Sequence, residues 1–182
     1  MEPQTFRQLA IAEFDSVYRM AIHLIRHRDG AADLTQETYL RAFKAEKNFE
    51  LRSKGIRPWL FKILHNAYYT QLGKQRREPT LAEDLHSQTA AQELETPSPC
   101  WDLAALDWEQ VDDRLKRAIE QLPVHYREIL LLWAIEGLKY REIADVTGVA
   151  MGTVMSRLYR ARAILSEKLA TLAIEKGIQI DP

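Results

Sequence analysis

The 182 residues are 46% hydrophobic and carry 25 Lys and Arg against 26 Asp and Glu, for a formal net charge of -1. That hydrophobic content suffices to bury a core, as one domain or as two small ones, and the balanced charge excludes the global basic surplus that marks many nucleic-acid binders. A single cysteine, Cys100, excludes an intrachain disulfide scaffold. The longest apolar run, Ile129 to Ile135, is too short to cross a bilayer, and the N-terminus lacks the charged-then-apolar pattern of a signal peptide. A cytoplasmic chain without membrane insertion is expected.

Apolar residues recur at helical spacing almost throughout, with no sustained strand-like alternation, so the expected fold class is all-α. A first helix places Leu9, Phe14, Val17, Tyr18, Ala21, Ile22 and Ile25 on one stripe and ends near His27 to Gly30. A second runs from about Ala31 to Lys47 with Leu34, Tyr39, Leu40 and Phe43; along it Asp33, Gln36, Glu37 and Leu40 share a face. After the polar loop around Arg52 to Gly55, Pro58 suits the first turn of a third helix carrying Trp59, Leu60, Ile63, Leu64, Ala67 and Tyr68. These three helices close one small core, the domain 1–78.

Charge is segregated along the rest of the chain. From Arg57 to Arg77 the charged residues are Arg57, Lys62, Lys74, Arg76 and Arg77; from Glu78 to Asp113 there are ten acids and no Lys or Arg; beyond Gly148 come Arg157, Arg160 and Arg162. Residues 79–107 combine this acidity with Pro79, Pro97 and Pro99 and show no amphipathic period, which reads as a flexible acidic linker. A second helical domain, 108–182, follows as Trp108 to Leu122 stopped by Pro123, Tyr126 to Glu136 stopped by Gly137, Tyr140 to Thr147, and Met151 to about Glu175.

The last two segments have the spacing of a helix-turn-helix. The motif needs a small residue where its helices cross, a glycine in the turn and an apolar anchor on the second helix, and Ala144, Gly148 and Val154 fill those places. Ile143 and Leu158 add core contacts. Met155, Ser156, Arg157, Tyr159, Arg160 and Arg162 are left for the outer face, as ligands of a DNA duplex or as a solvated basic face on a plain helix pair. On the DNA reading Arg160 contacts a base, supported by Ser156, Tyr159 and Met155, while Arg157 and Arg162 contact phosphates.

Glu128 to Leu132, Glu136-Gly137-Leu138, Tyr140 to Ala144 and Gly152 to Arg162 closely resemble region 4 of the extracytoplasmic-function sigma factors, which binds the promoter −35 element. Met155 stands where many members have Lys or Arg. Asp33 to Thr38 resembles the family's region 2.2, which docks on a clamp coiled coil of the polymerase; the resemblance implies core-polymerase binding by Asp33, Leu34, Gln36 and Glu37. Trp59 to Asn66 resembles the segment that melts and captures the −10 element. There Asn66 would read a flipped base beside a loop from Phe49 to Ile56, with Arg57, Lys62, Lys74, Arg76 and Arg77 along the strand backbone. Trp59 and Ile63 are assigned to the core, and Tyr68 and Tyr69 stand open between core and DNA.

The resemblance therefore implies a promoter-specificity subunit whose partners are core RNA polymerase, promoter DNA and an anti-sigma factor. The linker would be either a polyanion mimic threading the polymerase or a plain tether. His23 and His27 read as a surface pair without a third metal ligand, and neither a phosphate loop nor a nucleophilic elbow is present, so no enzyme activity, metal or cofactor is expected. Two other functions compete: a dimeric stand-alone activator, and an adaptor that binds a sigma regulator.

Overall fold

A computed structural model describes residues 3–49, 55–75 and 113–175. Among these residues the regular structure is all helical: α1 (Pro3–Ala12), α2 (Phe14–Ile25), α3 (Arg28–Lys44), a 3-10 turn (Glu46–Asn48), α4 (Arg57–Gln75), α5 (Asp113–Glu120), α6 (Val124–Ala134), α7 (Tyr140–Thr147) and α8 (Met151–Glu175). The elements fall into two compact units. α1 to α4 belong to the first; α5, α6, α8 and the start of α7 as far as Ile143 belong to the second, while Ala144–Gly148 are grouped with the first. The expected linker, 79–107, lies outside the described residues.

In the first unit, α2, α3 and α4 pack on one another and α1 lies against α2. Their core is Phe6, Val17, Met20, Leu24, Leu34, Leu60, Phe61 and Leu64, all nearly inaccessible to solvent. Each such side chain removed from water contributes roughly 1.5–3 kcal/mol before entropy is counted. The first helix expected from the sequence is in fact two, α1 and α2, broken at Glu13. The break is held from elsewhere in the chain: the Tyr39 hydroxyl donates to the Ala10 carbonyl at 2.7 Å, and the Glu13 carboxylate accepts from Arg57 Nε at 2.6 Å. The Ala10 carbonyl, which also accepts from the Glu13 N–H at 3.2 Å, thereby gains a second donor, and the ion pair fixes the residue between the helices.

α3 begins at Arg28, three residues before the expected start. Arg26 closes α2 in the left-handed conformation, φ 62°, and its N–H donates to Ile22 O. His27 then caps α3, its Nδ1 accepting from the Gly30 N–H at 3.0 Å. Gly30 is thus inside the first turn and does not end the preceding helix. A Cβ there would lie 2.9 Å from Ile25 Cγ2, so a larger residue would have to displace that methyl at the joint between α2 and α3. Within α3, Thr35 and Thr38 are buried with their hydroxyls donating to the Ala31 and Leu34 carbonyls, so neither is left unsatisfied in the core. Gly55, at φ 72°, turns the chain into α4. There Trp59 packs with Phe6 and Phe49 at ring-centroid separations of 5.7 and 4.9 Å.

In the second unit, α8 packs on α6 and α5. α6 is almost wholly buried along Ile129, Leu130, Leu131 and Leu132. Arg127, also buried, donates from Nη1 to the carbonyls of Glu120 and Leu122, both at 3.0 Å, and so caps the end of α5 with a charge of the favourable sign. Gly137, in the left-handed region at φ 66°, ends the turn after α6. α7 has the bounds the sequence predicts, and α8 starts at the predicted residue.

Candidate functional site

Glu142 accepts from the Lys139 N–H at 2.9 Å, the side-chain half of a capping box, and this fixes where α7 starts. α7 stops at Gly148, whose φ of 70° is open to glycine without strain and whose N–H donates to the Ala144 carbonyl. α8 then anchors itself through Val154, Leu158 and Ala161, each buried to within 2%. With 100° per residue, that stripe turns Ser156, Tyr159, Arg160 and Ala163 away from the core. Tyr159 is 76% exposed, and Met155, Ser156 and Arg160 are exposed as well.

Two aromatic residues of α6 reach this helix. The Tyr126 hydroxyl accepts from Arg160 Nη1 at 3.4 Å, and the guanidinium of Arg162 lies 4.3 Å from the centre of the Trp133 ring. The angular position of Arg162, close to the buried stripe, accounts for its cation–π contact. Arg162 is exposed, as expected, and its guanidinium at the same time meets α6. Arg157 is half-buried on the opposite flank.

On α3 the expected partner-binding residues divide. Asp33 and Gln36 are exposed, and Glu37 is partly exposed with its carboxylate 2.7 Å from Arg41 Nε, one turn on. Leu34 is fully buried, so it belongs to the core of the unit and offers no surface to a partner. The apolar neighbour that does face outward is Leu40, 48% exposed, on the same face as Gln36 and Glu37.

On α4, Lys62 and Asn66 are exposed one turn apart. The His65 and Tyr69 rings lie 4.5 Å apart beside them, an aromatic pair that the helical spacing contained but that the sequence reading did not single out. Tyr68 is buried, which settles it as a core residue. Arg57, expected along a DNA backbone, is partly exposed and ion-paired to Glu13. Ile56 is buried and Phe49 packs on Phe6, so the ends of the expected pocket loop are core residues. The side chain of Lys74, the residues Arg76 and Arg77, and 50–54 of that loop lie outside the described residues.

His27 is occupied as the α3 cap. Among the described residues no group of His, Cys, Asp and Glu is placed to hold a metal ion, and no helix is long and apolar enough to cross a membrane.

Residues 12–78 match Sigma-70 region 2, and residues 112–165 match Sigma-70 region 4. The chain is 34% identical over 165 residues to the ECF RNA polymerase sigma factor EcfG of Rhodopseudomonas palustris, covering 91% of this chain and 85% of that protein. It is 36% identical over 165 residues to the ECF RNA polymerase sigma factor SigE of Mycolicibacterium smegmatis, covering 86% of this chain but only 58% of that longer protein. Among solved structures, the sigma factor RpoE of Bartonella quintana, crystallised with the anti-sigma factor NepR, superposes with a TM-score of 0.67 at 30% identity over 92% of this chain and 98% of that one. CnrH, solved in complex with the cytosolic domain of CnrY, gives 0.60 at 25% identity over 92% and 89%.

Proposed function

Because the chain belongs to the extracytoplasmic-function sigma factors of the sigma-70 family, we propose that it binds core RNA polymerase and directs it to promoters by gripping a −35 duplex with α8 and an opened −10 strand with α4. The observation that carries this reading is the pairing, on one chain, of an outward arginine-bearing recognition helix with an upstream unit whose α4 exposes a cation and an amide. A duplex reader alone needs only the first. Opening DNA also requires a place to hold extruded bases, and Asn66 supplies donors and acceptors for a base edge. The adjacent His65 and Tyr69 rings offer a face on which a base can stack, and Lys62 a cation for the strand.

On α3, Asp33, Gln36, Glu37 and Leu40 form the surface for the polymerase: carboxylates and an amide for basic partner residues, with an apolar contact in place of buried Leu34. On α8, Arg160 reads a base with Ser156, Tyr159 and Met155 around it, and Arg157 supports the phosphates. Such a protein changes no covalent bond; the chemistry is the polymerase's. The Bartonella structure is of a sigma factor bound to an anti-sigma factor, and CnrH is bound to the cytosolic domain of CnrY, which supports control of this chain by a protein that masks α3, α4 or α8.

Transcription in vitro with the cognate core polymerase tests the proposal. Promoter-dependent initiation requiring asymmetric −35 and −10 elements is the expected result. Initiation that ignores the added chain sinks the reading, and binding to a palindromic operator as a dimer replaces it with that of an activator.

A further inference from the structure

Resting on the assignment of α8 to the promoter duplex, we infer that Tyr126 is a positioning residue for promoter recognition, aiming the Arg160 guanidinium at the base it reads. The contact joins residues 34 apart in sequence: Arg160 Nη1 donates to the Tyr126 hydroxyl at 3.4 Å. Tyr126 stands on a fixed platform. It lies in the first turn of α6, its N–H donates to the Pro123 carbonyl, and the next residue, Arg127, is buried and tied to two carbonyls at the end of α5. The following turns of α6 are buried along Ile129 to Leu132. The phenol is packed as well, its ring 4.1 Å from that of His125.

An arginine side chain has more rotamer freedom to lose than almost any other, and a partner that restrains it beforehand lowers the cost of ordering it on DNA. The valence is compatible. A guanidinium carries five N–H donors and a bidentate contact to guanine uses two, so a hydroxyl that takes one leaves the recognition fork available. The hydroxyl is an acceptor toward Arg160 and carries no charge toward phosphate. Its removal therefore alters which bases are preferred without reducing the number of phosphates neutralised.

The test uses the full chain assembled with core polymerase and a double-stranded library randomised across the −35 region. The duplex enriched by the wild type, and its single guanine-to-adenine variants, are titrated with wild type, Tyr126→Phe, Arg160→Ala and the double variant. Tyr126→Phe keeps the ring and its packing and removes only the hydroxyl. It should reduce discrimination at one guanine by about three- to tenfold with an unchanged salt slope, the size expected for the net worth of one exposed hydrogen bond. Arg160→Ala should abolish discrimination at that position, and adding Tyr126→Phe to it should have no further effect. An equal loss from Tyr126→Phe in both backgrounds would overturn the inference, because the hydroxyl would then act independently of Arg160. Wild-type discrimination by Tyr126→Phe, with Arg160→Ala defective, would overturn it too. If Arg160→Ala itself discriminates normally, the assignment of the base contact fails and the inference falls with it.

Discussion

Arg26 is the one non-glycine residue with positive φ among the described residues, and it sits where helices usually place glycine. The left-handed region costs an L-residue roughly 1–2 kcal/mol, partly offset in a glycine variant by the extra freedom of the unfolded chain. Arg26→Gly should therefore stabilise the first unit by about 0.5–1 kcal/mol, read as a raised midpoint in denaturant at constant slope. Tyr39 has the opposite character, because its hydroxyl bond to Ala10 is buried. Burial, assisted by the Glu13 and Asp15 carboxylates, pushes its phenol up from 10.0 to about 12. Folding thus favours the neutral form. The stabilising contribution of Tyr39 is complete below pH 10.0, where the unfolded phenol is also neutral, and is lost as pH rises toward about 12. Tyr39→Phe should lower stability at neutral pH by about 1 kcal/mol and lack that alkaline component, as followed by thermal melts across the range.

At the scale of elements, the second unit depends on α6 as a framework for α8. Arg162 over Trp133 is a structural contact, so Arg162→Ala should destabilise the unit by about 0.5–1 kcal/mol while leaving the salt dependence of DNA binding unchanged. A reduction in salt slope by about one unit would instead return Arg162 to the phosphate contacts. The start of α7 rests on a local device, the Glu142 carboxylate on the Lys139 N–H, whose loss in Glu142→Ala should cost about 1 kcal/mol. On α3, Leu34 and Leu40 occupy different sides of one helix, and only Leu40 has surface to offer.

For the whole molecule, the proposed division of labour separates two variants that composition alone would treat alike. Asn66→Ala should impair open-complex formation, read by permanganate reactivity of unpaired thymines, while −35 duplex binding stays at wild-type level. Arg160→Ala should weaken duplex binding in a sequence-dependent way, by about tenfold at the guanine it reads. Equal, sequence-independent losses from both would count against separate roles for α4 and α8. A near-neutral total charge is compatible with this grip because the basic residues are concentrated in two stretches divided by an acidic one.

Local chemistry determined a good deal of this protein by itself. Helical periodicity made the chain all-α, and the glycine at position 148, the small residue at 144 and the apolar anchor at 154 set the end of α7 and the start of α8, because the spacing and turn chemistry of that motif lie within a few turns of chain. Only the tertiary structure decided which residues of a legible helix remain available for function. Leu34 is spent in the core, Arg57 meets Glu13 and Arg162 meets Trp133, and the break between α1 and α2 is met from across the chain by Tyr39 and Arg57. Periodicity places a side chain on a face of its own helix; what meets that face comes from residues far away in sequence, and those contacts form only when the elements pack.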